Sequence, residues 1–216
     1  MSDGEGFFPA TSMPDEAWWR VLWPDPEAVL RATGLEPGMA AVDLCCGNGW
    51  FTAPMARIAG AGRVLAIDLD PAMTAAAEAR LRGEGLPWCR FITGDARRMN
   101  EALEGRVDYI LIANTFHGVP DKAGLAACAA RALKPGGRLV IINWHARRRE
   151  ETQVLGRPRG PATELRMTPE ETVHAVAPCG LVAAGVVELP PFHYAALFTR
   201  PPGREAGARG GEKGLP

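Results

Sequence analysis

Between residues 40 and 143 the chain alternates short apolar runs with longer stretches whose apolar positions recur at helical spacing. The runs at 40–44, 63–67, 88–92, 107–112 and 138–143 predict strands, and the stretches at 50–58, 72–82, 100–103 and 122–133 predict helices. Strands that are apolar throughout, with helices between them, imply a parallel sheet covered on both faces. Crossovers between parallel strands are right-handed, which leaves a doubly wound sheet as the natural architecture. Past residue 144 the alternation breaks. Residues 145–160 are polar, include Arg147, Arg148 and Arg149, and read as a solvated loop. A last helix is signalled by Thr168, Pro169 in the first turn and Glu171 completing a capping box, with its end near Gly180. The runs at 181–189 and 192–199, separated by Pro190-Pro191, predict an antiparallel hairpin at one sheet edge.

The expected fold is therefore α/β: a Rossmann-like, doubly wound, seven-stranded sheet, mostly parallel, with an antiparallel C-terminal hairpin strand. Residues 1–34 form a helical arm or lid. Ser12, Met13, Pro14 and Asp15 signal a helix start, Trp18, Trp19, Val21, Leu22 and Trp23 follow, and Asp25-Pro26 opens a second short helix that stops at Gly34. Its three tryptophans either anchor the arm to the core or roof a ligand pocket. Residues 35–200 make up the main domain, and residues 201–216 lack apolar side chains to bury and are expected to be disordered. Across the 216 residues, 47% hydrophobic and 23% charged content is that of a soluble globular protein, and a formal charge of -1 gives no support for a nucleic-acid partner. No apolar run is long enough to cross a bilayer, and no secretory pattern opens the chain, so the expected location is the cytoplasm. The 5 cysteines are dispersed without Cys-x-x-Cys spacing, and neither a disulfide framework nor a zinc site is expected. Adjacent Cys45 and Cys46 leave a soft-metal role open, against burial as small apolar side chains.

Ligands of an open parallel sheet bind beyond the carboxyl ends of its strands. There the chain places Asp43 and Cys45-Cys46-Gly47-Asn48-Gly49, then Asp68-Leu69, then Gly94-Asp95-Ala96, then Asn114-Thr115-Phe116-His117. Gly47 and Gly49 allow close backbone approach to a ligand, and Asp68 can accept hydrogen bonds from a ribose diol. Asp70, followed by Pro71, reads as a helix cap. The loop alone does not identify the ligand, because a nicotinamide enzyme also places an acid where Asp68 stands.

Taken in order, VDLCCGNGWFTAP, VLAIDLDPAM, ITGDARRM, DYILIANTFHGV and LKPGGRLVIINW resemble the motifs of class I S-adenosylmethionine-dependent methyltransferases, and the resemblance covers residues 35 to about 199. The branch it is most similar to is the small-molecule one, with the ubiquinone/menaquinone-biosynthesis C-methyltransferases; GPATELRMTPEE also resembles a segment found in that branch. The resemblance implies S-adenosylmethionine as cofactor, and a small-molecule methyl acceptor with no metal, nucleic-acid or membrane partner. It places the methionine part on Asp43, Cys45, Gly47, Asn48 and Gly49, the ribose on Asp68 and Leu69, the adenine on Asp95 and Ala96, and Asn114 along the methionine end. Residues 133–137 would be the turn into the fifth strand. Where the family usually has glycine, this chain has Cys45. His117 falls where the acceptor should lie, either as a base or substrate contact or as a wall. Trp19 belongs to the arm whose tryptophans either anchor it to the core or fold over the cofactor. Arg166 either meets an acidic substrate or forms a surface ion pair with Glu164 or another carboxylate. Asn114 lies outside any Asn-Pro-Pro-Tyr motif, which speaks against DNA amines as acceptors. The competing expectations are a nicotinamide-dependent oxidoreductase and a non-catalytic cofactor-binding protein.

Overall fold

The computed structural model describes residues 15–98 and 103–202. The expected cap at Ser12 to Pro14, most of the helix expected at 100–103, and the tail from residue 203 fall outside them. Two short helices come first: α1 (Glu16–Leu22), capped by the Asp15 carboxylate on the Ala17 amide, and α2 (Pro26–Ala32), capped by Asp25 with proline in its first turn. Then follow β1 (Ala41–Leu44), α3 (Thr52–Ala59), β2 (Val64–Asp68), α4 (Pro71–Gly83), β3 (Arg90–Thr93), β4 (Val107–Ala113), α5 (Lys122–Ala132) and β5 (Leu133–Trp144). A two-stranded ribbon, β6 (Gln153–Val154) and β7 (Arg157–Pro158), precedes α6 (Pro169–Val176), and the hairpin β8 (Val182–Leu189) and β9 (His193–Thr199) ends the fold.

Seven strands form one sheet in the order β3-β2-β1-β4-β5-β9-β8. The first five are parallel, and β9 runs antiparallel to β5. The order reverses at β1, whose four residues are all buried between β2 and β4. That explains the unbroken apolar runs: Val42, Leu44, Ile110 and Ile112 face one layer, with α5 and α6, while Ala41, Tyr109 and Leu111 face the other, with α3 and the arm. Each such fully buried large side chain contributes about 1.5–3 kcal/mol. Trp18, Trp19, Leu22 and Trp23 belong to this second layer, so the arm is joined to the core.

Several boundaries move for identifiable reasons. β3 starts at Arg90 rather than 88 and leaves Trp88 75% exposed, as suits a strand on the sheet edge. β5 starts at Leu133, because Leu133 already pairs with Val107; a bulge then absorbs Lys134 to Gly137 before Arg138 pairs with Tyr109. Gly136, at φ 79°, turns within that bulge and donates its amide to Arg200. The stretch expected as a solvated loop at 145–160 instead contains the β6–β7 ribbon, with Thr152 and Val154 buried.

Long-range polar contacts lock the elements together. Tyr109, fully buried, meets the Thr33 hydroxyl at 2.8 Å and so fixes the end of α2. Tyr194 on β9 donates toward the carbonyls of Met167 (3.0 Å) and Thr168 (2.9 Å) and sits 2.6 Å from the Thr172 hydroxyl, which seats the capping box of α6 on the sheet. Tyr194→Phe keeps the ring and strips the hydroxyl from these buried acceptors. It is expected to lower unfolding free energy by about 1–3 kcal/mol, read from urea denaturation.

Candidate active site

The carboxyl rim of the parallel strands brings the loop after β1 against the end of β2. The amides of Cys45 and Cys46 both donate to the Ile67 carbonyl, at 2.8 and 3.1 Å, and the Gly47 amide donates to Asp68 Oδ2 at 2.8 Å. Asp68 Oδ1 takes the Asp70 amide at 3.0 Å, so one carboxylate holds the loops that follow two adjacent strands. Asp70 caps α4, as its Pro71 neighbour predicts. Asp43 is 2% exposed and accepts the Thr52 hydroxyl at 2.6 Å, tying the end of β1 to the start of α3. Burial pushes its carboxyl up to about 7, opposed by the Thr52 hydrogen bond and reinforced by the Asp68 charge.

Cys45 adopts φ 61°, a left-handed conformation that costs a side-chain-bearing residue about 1–2 kcal/mol. Glycine takes it freely, which gives a physical reason for the family's preference there. Burial pushes both thiols far above their ordinary range, and the charges of Asp43 and Asp68 add to this. Thiolate chemistry is thereby disfavoured, and the cysteines act as loop walls. Gly49 has a different constraint from the ligand contact the sequence implied. At φ 80°, a Cβ would lie 3.0 Å from Ala77 Cβ and 3.1 Å from Ala77 Cα, so it is glycine because α4 passes directly beneath.

Farther along the rim, Leu69 is 39% exposed beside Asp68, and Ala96 is buried in the turn after β3. The Asp95 carboxylate is clasped by Arg97, whose Nη2 lies 2.7 Å from Oδ2. Asn114, at φ 58°, donates its backbone amide to Ile142 at 2.8 Å, while its side-chain oxygen and nitrogen are both buried without a partner. Asn48 Oδ1 is likewise buried and unpartnered, while the buried His117 imidazole has the Asn143 side chain as its hydrogen-bond partner. Buried polar atoms nearly always find a partner, so those of Asn48 and Asn114 on one rim mark a surface shaped for a polar ligand.

His117, buried in a short turn after β4, is held neutral: desolvation pulls it down to about 4. It lines a groove of about 390 Å³ together with Lys122, Glu164, Leu165, Arg166, Met167 and Glu171. Arg166 departs from the surface ion pair expected of it. It is 5% exposed, donates from Nη2 to the Thr152 hydroxyl and the Arg159 carbonyl, both at 2.9 Å, and from Nε to Pro161. Its guanidinium sits over Trp144 at 5.1 Å and ties the 145–166 segment together. Trp19 is 5% exposed with its indole nitrogen unpartnered. His193, which nothing in the sequence singled out, also reaches the rim. Because β9 is antiparallel, its first residue lies opposite Trp144, the last of β5. The one legible signal was its place two residues after Pro190-Pro191, near a strand start rather than a strand end.

Residues 41–137 match the model of the Methyltransferase domain family. The ubiquinone/menaquinone biosynthesis C-methyltransferase UbiE of Shewanella halifaxensis is 32% identical over 120 residues, covering 53% of this chain and 46% of that protein. The demethylmenaquinone methyltransferase of Lactococcus lactis is 32% identical over 114 residues, covering 52% of this chain and 45% of that protein. The chain thus spans less than half the length of these curated relatives. Among solved structures, a SAM-dependent methyltransferase from Aquifex aeolicus superposes with a TM-score of 0.74 at 23% identity, over 88% of this chain and 100% of that one. The geranyl diphosphate C-methyltransferase of Streptomyces coelicolor, solved with S-adenosyl-L-homocysteine, gives 0.64 at 19% identity, over 81% and 76%. These likenesses bear out the expected fold.

Two outcomes follow for the loop. The raised Asp43 pKa means that the folded protein keeps a proton the unfolded chain loses above about 4, so this group's contribution to stability falls as pH rises from about 4 to 7 and is then constant. Asp43→Asn retains an acceptor for Thr52 without the charge. Its stability relative to wild type should improve by about 1–3 kcal/mol between pH 5 and pH 8, measured by urea denaturation at both. Gly49→Ala should cost about 2 kcal/mol or more through overpacking and positive φ, whereas Cys45→Gly should leave the melting temperature unchanged or higher.

Proposed function

We propose, from the match of residues 41–137 to the methyltransferase-domain model, that the protein transfers the methyl group of S-adenosylmethionine to a small-molecule acceptor by direct in-line displacement. The observation that carries this reading is the set of buried, unpartnered polar atoms on Asn48 and Asn114, on the same rim as the Gly47–Asp68 clasp. Asp68 would take the ribose hydroxyls on lone pairs left by its two backbone donors. Leu69 and Ala96 would flank the adenine, with Asp95 at its amino edge. Asp43, Cys45, Gly47, Asn48 and Gly49 would shape the cradle of the methionine part, and Asn114 would lie along its carboxylate or ammonium. Asp43, buried and drawn toward its protonated form, gains from a nearby cation, which fits an ammonium group.

When bound, the cofactor supplies a methyl group on a sulfonium, a good leaving group, so the chain need not form a covalent intermediate. The protein's part is proximity, orientation and exclusion of water. The Trp18, Trp19 and Trp23 arm covers the site as a lid, and the groove beside His117 receives the acceptor. His117, neutral and hydrogen-bonded to Asn143, would present its ring to the acceptor; its low pKa makes it a weak base, suited to acceptors that ionise readily. No helix among the described residues is long and apolar enough to cross a membrane, and with the charge of -1 this supports a cytoplasmic enzyme acting on a small molecule rather than on nucleic acid.

Melting curves with S-adenosylhomocysteine and with NADH test the reading: a shift with the first is expected, and a shift with NADH alone would reverse it. Asp68→Ala should weaken S-adenosylhomocysteine binding by about 1–3 kcal/mol, roughly 5- to 150-fold, in calorimetry. Unchanged affinity would remove Asp68 from the ribose site.

A further inference from the structure

The β6–β7 ribbon turns on a residue that its backbone does not favour. Val154 pairs with Arg157, so Leu155 and Gly156 make a two-residue hairpin turn, and both have positive φ, 52° and 71°. A type I′ turn requires that sign at both central positions, and Asn-Gly or Gly-Gly meets it without strain. Leucine does not: its side chain is crowded in the left-handed region and offers the backbone no hydrogen bond in return. Nor does it gain by burial, since Leu155 is 62% exposed. An apolar side chain that is both strained and exposed calls for something outside the chain that it meets.

The base of the ribbon holds this tip in place. Val154, one residue earlier, is buried with the tryptophan arm, and the Thr152 hydroxyl lies 2.9 Å from the Arg149 carbonyl and 2.8 Å from that of Arg159. The Arg159 guanidinium sits over Trp18 at 5.0 Å, which sets α1 alongside. Val21, three residues after Trp18 and so on the neighbouring flank of α1, is 54% exposed. Charge gathers on the same ribbon. Residues 145–160 contain five arginines against two glutamates, in a chain whose formal charge is -1. Arg148 pairs with Glu151 at 3.5 Å, and Arg149 Nε donates to the Gly160 carbonyl at 3.1 Å. Glu150 is exposed, as are Arg147 and Arg157, which have no side-chain partner among the described residues.

The partner that fits is anionic and also admits apolar side chains, a pair of properties that the headgroup region of a bilayer combines. Nucleic acid fits only the first, because residues 145–160 hold one aromatic ring besides the Trp144 that precedes them, the imidazole of His145, and no Phe, Tyr or Trp on which bases could stack. We propose that the ribbon tip is a peripheral membrane contact: Leu155, with Val21 on the adjoining helix, enters the interface of a bilayer while Arg147 and Arg157 meet anionic lipid headgroups. The contact lies on the surface and needs no spanning helix. It is independent of the methyl-transfer reading, and it replaces the expectation of no membrane partner.

The test is co-sedimentation of the full chain with phosphatidylcholine vesicles and with vesicles containing about one-third phosphatidylglycerol. Binding to the anionic vesicles is expected to be at least tenfold tighter and to weaken severalfold when salt is raised to about 0.5 M. Leu155→Asn suits the turn, so it should melt at the same temperature or higher, yet bind anionic vesicles severalfold less. Arg147→Gln combined with Arg157→Gln should keep the melting temperature and lose most of the preference for anionic lipid. Equal binding to both kinds of vesicle overturns the proposal, as does a Leu155→Asn chain that binds like wild type. Binding of polyuridylate without binding of vesicles also overturns it and makes the arginines a nucleic-acid surface.

Discussion

The site depends on one carboxylate joining two loops. β1 and β2 are adjacent parallel strands, and at their shared end the backbone leaves the ladder with amides that still need acceptors. The Ile67 carbonyl satisfies Cys45 and Cys46, and Asp68 satisfies Gly47 and Asp70. The path of the glycine loop is thereby set by the end of the neighbouring strand. Remove that acid, and the loop loses its side-chain anchor together with the contact expected for the ribose. The same economy appears at Asp43, which joins the end of β1 to the start of α3 through Thr52.

Much of this was legible in the sequence wherever the cause is local. Continuous apolar runs identified the buried parallel strands, and Asp70-Pro71 and Thr168 with Glu171 identified two helix starts, since a cap needs only residues within one turn. What remained hidden depends on partners far along the chain. Arg166 reads as a surface cation, yet Thr152, Arg159 and Pro161 surround it with acceptors because the 145–160 stretch folds back as a ribbon. His193 had no visible partner because its position depends on the register Trp144↔His193, which periodicity does not report. Gly49 looked like a ligand-contact glycine, and only the course of α4 reveals the packing constraint.

The arm is coupled to the cofactor loop as well as to the core. Glu16 on α1 pairs with Arg80 at 2.6 Å, while Arg80 Nε donates to the Asn48 carbonyl at 3.0 Å and its guanidinium lies 5.1 Å from the Trp50 ring. Any displacement of α1 is therefore felt at the glycine loop. On the proposed reading, covering the acceptor and ordering the glycine loop would be one event, as suits a reaction that must exclude water only when both partners are present.

The antiparallel placement of β9 has a consequence for how such a protein diversifies. A parallel strand offers the rim its tail; this one offers its head, bringing residues from late in the chain to a surface otherwise built by the first half. On the proposed reading, cradle and acceptor walls are encoded in separate stretches of gene, the one before residue 120 and the other, apart from the tryptophan arm, His117 and Lys122, after residue 143. On that same reading, mutation in the later stretch would retarget the protein to new acceptors while the methyl-donor cradle is inherited unchanged.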